Sequence, residues 1–160
     1  MKDYLLALDQ GTTSSRAILF TAGGDVVASA QLPFSQYYPR PGWVEHDPTE
    51  ILTSQCKAVA ACVEKSGLQT GDIAALGLAN QRETAVVWER ATGKPVGNAI
   101  VWQCRRTADF CTRLQQEGYE EAIRARTGLV VDAYFSGTKY RWMLKNIPSV
   151  EEKARRGELL

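Results

Sequence analysis

Apolar residues come first in short runs with strand character and later at helical spacing. Tyr4-Leu5-Leu6-Ala7-Leu8 and Ala17-Ile18-Leu19-Phe20 read as buried strands, and Val26 to Gln31 returns as a third. Between the second and third, Thr21-Ala22-Gly23-Gly24-Asp25 predicts a hairpin connection whose glycines accept positive φ. The Pro- and Gly-punctuated stretch from Pro33 to Pro48 predicts loop. Asp47 then stands as a helix cap, with Pro48 at the first helical position and Glu50 at the third. Ile51, Leu52, Ala58, Val59, Cys62 and Val63 follow at helical spacing as far as Lys65, and Gly67 is the natural stop. The continuous small-apolar run Ile73 to Ala79 predicts a strand buried on both faces, as in a parallel sheet. Short strands are expected at Ala85-Val86-Val87-Trp88 and over 98–102, on either side of a turn at Arg90 to Pro95. Helices are expected over 107–117, over 120–126 with Gly128 closing it, and over 137–146 with Pro148 beyond. Asp132 to Gly137 reads as loop, and the charged stretch 150–160 as helical.

Candidate chemistry concentrates between the first two strands, at Asp9-Gln10-Gly11-Thr12-Thr13-Ser14-Ser15-Arg16. Gly11 permits a sharp turn and close approach of a ligand to the main chain. Hydroxyls and consecutive backbone N–H groups make a donor-rich concavity suited to phosphate oxygens. Arg16 adds a charge-assisted donor, and Asp9 is placed to hold a hydrated magnesium ion facing those oxygens. The same residue types also make ordinary turns that bind nothing, and the pattern is neither a P-loop nor G-x-G-x-x-G.

A second signal sits at strand ends. Arg82 and Glu83 follow the C-terminal end of the Ile73–Ala79 run, where ligands of open α/β sheets gather. Arg supplies fixed donors and Glu supplies acceptors, the pairing that a polyol's hydroxyls need. Trp102 offers a ring for a carbon skeleton, and Tyr134 a phenolic hydroxyl. Taken singly, Arg82–Glu83 also reads as a solvated pair, Trp102 as core and Tyr134 as a surface aromatic.

Composition narrows the function classes. The 160 residues carry 19 basic and 18 acidic side chains, net +1, which leaves no nucleic-acid footprint or polybasic membrane patch. No apolar run approaches the roughly 20 residues that span a bilayer. No signal-peptide pattern opens the sequence, so a cytoplasmic location is expected. Cys56, Cys62, Cys104 and Cys111 lack C-x-x-C spacing and read as buried or partly buried thiols in a reducing compartment. His46 has no cysteine at zinc-ligand spacing.

The Asp9–Arg16 stretch resembles the first phosphate-binding loop of the sugar kinases in the actin/Hsp70-like ATPase superfamily. Four later blocks narrow the resemblance to the glycerol kinases of the FGGY carbohydrate kinase family. They are Gly42-Trp43-Val44-Glu45-His46-Asp47-Pro48, Asn80-Gln81-Arg82-Glu83-Thr84, the 98–107 block Asn-Ala-Ile-Val-Trp-Gln-Cys-Arg-Arg-Thr, and Tyr134-Phe135-Ser136-Gly137-Thr138-Lys139. Xylulose and gluconate kinases share the first loop but not the Asn80–Thr84 block as written.

The resemblance implies an α/β, ribonuclease H-like (actin-like ATPase) mixed sheet flanked by helices. It implies that residues 1–160 are the N-terminal part of the first kinase domain, with the second domain absent. The implied activity is ATP-dependent phosphorylation of glycerol to sn-glycerol 3-phosphate in glycerol catabolism, with Mg2+. Thr12, Thr13, Ser14 and Arg16 would contact nucleotide phosphates, and Asp9 would position the metal through water. Arg82, Glu83, Trp102 and Tyr134 would hold glycerol, with Glu83 binding substrate rather than acting as base. The catalytic base would lie beyond Leu160, so the chain alone is expected to be inactive. A homo-oligomer is expected at full length. A non-catalytic binding module, or a kinase for another polyol or sugar, are the alternative readings.

Overall fold

The computed structural model describes residues 3–160, which form two compact units. One comprises the chain up to Ser35 together with Pro48–Gln81; the other comprises Gln36–Asp47 and Arg82–Leu160.

The first unit is a four-stranded mixed sheet carrying one long helix. Strands β1 (Tyr4–Gln10), β2 (Ser14–Thr21), β3 (Val26–Pro33) and β5 (Ile73–Ala79) stand in the order β3-β2-β1-β5. β1 pairs antiparallel with β2 and parallel with β5, and β2 pairs antiparallel with β3. Helix α1 (Pro48–Ser66) makes the crossover and packs over β2 and β3. This is the ribonuclease H-like arrangement that the sequence predicts. Alternation sorts the strand residues: Leu6, Ala17 and Leu19 turn toward α1 and form a core with Ala30, Ala58 and Cys62. Gly24 closes the β2–β3 hairpin with φ +93°, which a side chain would oppose.

Two expectations for this unit are corrected. Ile73–Ala79 is not buried on both faces: it is an edge strand, and Leu76 and Leu78 are exposed. The run is apolar and parallel as expected, but α1 lies over β2 and β3 and leaves it open. Leu52 and Cys56 are likewise exposed, because the face of α1 that meets the sheet runs through Ser54, Gln55, Ala58 and Cys62.

The second unit opens with a two-residue strand, β4 (Glu45–His46), inside the stretch expected as loop. It pairs antiparallel with β6 (Ala99–Ile100), to which the expected 98–102 strand contracts. Ala85–Trp88 is not a continuous strand. Ala85 bridges Ile100, Val87 accepts from Val96, and Trp88 exchanges hydrogen bonds with Leu160, so the partner changes before a ladder grows. Helices α2 (Ala108–Gln116), α3 (Tyr119–Thr127), α4 (Ser136–Asn146) and α5 (Val150–Arg155) follow. The tail therefore leaves its helix at Arg155, short of the expected 160, and Glu158–Leu160 runs back along Trp88–Arg90.

Ala85, Ile100, Cys104 and Met143 centre the core of this unit, flanked by Trp43 and Trp142. Arg106 is sandwiched between those two indoles, its guanidinium carbon 3.9 Å and 4.6 Å from the ring centres. It pairs with Glu45 at 2.5 Å, and Glu45 also accepts from Asn98.

Candidate functional site

The predicted phosphate loop is a tight link between β1 and β2. The turn itself is only Gly11 to Thr13, because Ser14 to Arg16 already belong to β2, with Asp9 opposite Arg16 and Gln10 opposite Ser15. A side chain at Gly11 would bring its Cβ within 3.1 Å of the Ser14 carbonyl oxygen, the same oxygen that accepts the Gly11 N–H at 2.9 Å. A β-carbon there would require the Ser14 carbonyl to give by a few tenths of an ångström.

Strand alternation then divides the hydroxyls. Ser15 is buried and bonded to Ser54 on α1 at 2.9 Å, so it is structural. Ser14 and Arg16 stand on the opposite face, on the side of Asp9. Thr13 is exposed at the turn. The loop is braced from three directions: Gln31 donates to the Ser14 hydroxyl at 2.7 Å, Gln55 to the Arg16 carbonyl at 3.0 Å, and Phe34 N–H to the Thr13 carbonyl at 3.3 Å. Beyond the end of β5, Gln81 donates to Gln10, which donates to the Gly11 carbonyl. The first unit thus gathers Asp9, Thr12, Thr13, Ser14 and Arg16 around one strand-to-strand turn.

In the second unit, Glu83 has φ +63°, a left-handed conformation that side chains rarely adopt outside functional or constrained sites. Its carboxylate accepts from the backbone N–H (2.8 Å) and hydroxyl (2.6 Å) of Ser136, the first residue of α4. The anion thereby satisfies an orphan donor at the helix start and meets the favourable end of its dipole. The Ser136 hydroxyl foremost holds the Glu83 carboxyl below the usual range; burial opposes this, and the Ser136 amide, Lys139 and Arg82 add to it.

Tyr134 is fixed at its amide by Asp132, 2.7 Å away, in an Asx turn. Asp132 in turn accepts from Arg105 at 2.9 and 3.1 Å. Burial resists ionisation of Asp132 most strongly, but Arg105 and the Tyr134 amide together keep its carboxyl low. The Tyr134 ring meets the Trp102 indole edge-on, with centres 5.9 Å apart. Both rings are half-buried, and Arg82, adjacent to Glu83 in the chain, is exposed. The second unit therefore brings Glu83, Trp102 and Tyr134 together around the start of α4.

A family model described as the N-terminal domain of the FGGY family of carbohydrate kinases matches residues 4–159. The chain belongs to the FGGY family. It is 60% identical over 157 residues to glycerol kinase 2 of Thermotoga maritima, covering 98% of this chain and 32% of that protein. Among solved structures it superposes on the ADP complex of Plasmodium falciparum glycerol kinase with a TM-score of 0.90 at 31% identity, over 98% of this chain and 31% of that one. It also superposes on a xylulose kinase of Rhodospirillum rubrum with a TM-score of 0.82 at 28% identity, over 92% of this chain and 30% of that one. The chain thus spans about a third of the length of the relatives it matches.

Within this FGGY domain, sequence reasoning overlooked the braces. Gln10, Gln81 and Gln31 have no part in the sequence reading of the loop, nor have Ser136 and Asp132 in that of Glu83 and Tyr134. Gln81 and Ser136 fall inside the motif blocks, so their presence is visible in the sequence. Their partners are not: Ser136 lies 53 residues from Glu83, and Gln81 lies 71 from Gln10.

Proposed function

We propose that this chain supplies the phosphate-binding loop and the polyol-binding residues of an ATP-dependent glycerol kinase, which forms sn-glycerol 3-phosphate. The observation that carries the reading is the cluster at the start of α4. There a carboxylate in a strained, helix-anchored conformation accompanies two half-buried aromatic rings. Three carbons bearing three hydroxyls need an apolar surface and paired donors and acceptors. Trp102 takes the carbon skeleton, Arg82 and Tyr134 donate, and Glu83 accepts. The similarity to glycerol kinases over nearly the whole chain supports the same substrate.

Phosphoryl transfer asks chiefly for alignment and charge neutralisation. The terminal hydroxyl oxygen of glycerol forms a bond to the γ-phosphorus as the bond to the departing ADP oxygen breaks. The alcohol proton leaves to a base that is not among these residues. Glu83 suits binding rather than that role, since a carboxyl held below its usual range is a weak proton acceptor. Thr12, Thr13, Ser14 and Arg16 hold phosphate oxygens with hydroxyl and guanidinium donors.

Magnesium fits Asp9. Among the described residues no group of three or more His, Cys, Asp or Glu side chains forms a cation site. A lone carboxylate, with water and phosphate oxygens completing the shell, is the pattern magnesium favours. When bound, the ion would neutralise charge on the phosphates. The reading also places the reaction in the cytoplasm.

The test is an ADP-release assay on the full polypeptide carrying this chain, with glycerol, xylulose and gluconate as acceptors. Glycerol is expected to give the highest kcat/KM. Preference for a sugar would move the assignment to another carbohydrate kinase, a reading that the likeness to the xylulose kinase supports.

A further inference from the structure

Lys139 lies on α4 with its side chain fully buried, and none of the roles above employs it. Its ammonium donates to the Glu83 carbonyl at 2.9 Å and to the Tyr134 carbonyl, and lies 6.0 Å from the Tyr134 ring centre. Burying a cation is costly, and an apolar side chain of similar length would fill the space without that cost. Burial brings the Lys139 pKa down to about 8, against the opposing pull of Glu83 foremost, then Cys104, Asp132 and Cys111.

What the ammonium adds is the fixing of two main-chain positions. Both belong to residues assigned to glycerol. Glu83 is thereby held at both ends from the first turns of α4, its carboxylate by Ser136 and its carbonyl by Lys139. Tyr134 is held at its amide by Asp132 and at its carbonyl by Lys139. One buried side chain thus links the two residues and bonds the main chain of Glu83 in its left-handed conformation.

We propose that Lys139 is a positioning residue for the polyol site, fixing the main chain of Glu83 and Tyr134 so that their side chains stand at the spacing a triol requires. The proposal rests on the reading of Glu83 and Tyr134 as glycerol ligands.

The test uses Lys139→Met and Lys139→Gln in the full polypeptide carrying this chain. Glycerol and MgADP affinities are measured by calorimetry. Amide exchange is followed at Ser136, whose N–H meets Glu83, and at Ile100, whose N–H meets Ala85 in the core. Lys139→Met removes the ammonium donor from two partly buried carbonyls and is expected to weaken glycerol binding about tenfold or more. MgADP affinity and Ile100 protection should stay unchanged, while the Ser136 amide exchanges faster. Lys139→Gln, with two N–H donors on a shorter stem, should show a smaller loss with the same selectivity, and it carries the comparison if the methionine variant does not fold.

Wild-type glycerol affinity and Ser136 exchange in both folded variants, or in Lys139→Gln alone, would overturn the proposal. So would parallel losses of glycerol affinity, MgADP affinity and Ile100 protection, the mark of a purely structural role. Glu83→Ala separates the two layers. If it abolishes glycerol binding while the Lys139 variants keep it, only the positioning role falls; if it leaves glycerol binding intact, the glycerol reading falls and the proposal with it.

Discussion

Replacing Glu83 by alanine removes the acceptor of two hydrogen bonds from Ser136, at 2.8 and 2.6 Å. A hydrogen bond to a charged group contributes about 1.5–3 kcal/mol when solvent is excluded. Glu83 is half-buried, so the low end applies. An anion at a helix start contributes about 0.3–1 kcal/mol more. Water reaching the freed Ser136 donors offsets part of the loss, leaving an expected destabilisation of about 2 kcal/mol. Alanine keeps the strain of φ +63°, whereas glycine relieves about 1 kcal/mol of it, so Glu83→Gly should be the more stable of the two variants. Trp43, Trp88, Trp102 and Trp142 all lie in the second unit, so urea denaturation followed by tryptophan fluorescence reports that unit alone. The pH dependence has a definite sign. The folded-state pKa of Glu83 is depressed, so its contribution is complete above its unfolded value near about 4.3 and is lost as pH falls through the folded value. The gap between wild type and Glu83→Ala should therefore be widest above about pH 5 and close on acidification. A variant within about 0.5 kcal/mol of wild type at pH 7, a range typical of neutral surface changes, would refute the anchoring of Glu83 to α4.

Arg106→Met should cost about 3 kcal/mol in the same assay, because it leaves the Glu45 carboxylate without its cation and removes the guanidinium from between Trp43 and Trp142. Gly11→Ala must displace the Ser14 carbonyl by a few tenths of an ångström, and calorimetry should record a several-fold loss of MgADP affinity with glycerol affinity unchanged. Arg82→Ala should weaken glycerol binding by about 1–3 kcal/mol through unmatched ligand hydroxyls, read by the same calorimetry. With a thiol reagent, exposed Cys56 should react at once; buried Cys62, Cys104 and Cys111 should react only on unfolding, the thiols of Cys62 and Cys111 being pushed up mainly by burial.

Local pattern served well where neighbours in sequence are neighbours in space. The β2–β3 hairpin, α1 with its stop at Gly67, and α3 closed by Gly128 at φ +74° all followed from short-range signals. It served less well for β5, because a continuous apolar run records which side chains are present and not whether a helix lies over them. Glu45–His46 read as loop because a two-residue strand has no period; its partner at Ala99–Ile100 is far along the chain. The site divides the same way. The residues proposed to meet ligands announce themselves by type, as with the hydroxyls of Thr12 and Thr13 or the carboxylate of Glu83. The residues that aim them do not. Lys139 closes one of the motif blocks with no role assigned to it, and its burial against two carbonyls follows only from tertiary packing.

The central claim is that two sets of residues receive two different ligands. Backbone and side-chain NMR of the protein, titrated separately with glycerol and with MgADP, tests it most directly. Glycerol is expected to move the resonances of Arg82, Glu83, Trp102 and Tyr134, and MgADP those of Gly11 to Arg16. Glycerol shifts that leave Glu83 and Tyr134 untouched, or MgADP shifts that bypass the β1–β2 turn, would contradict the account.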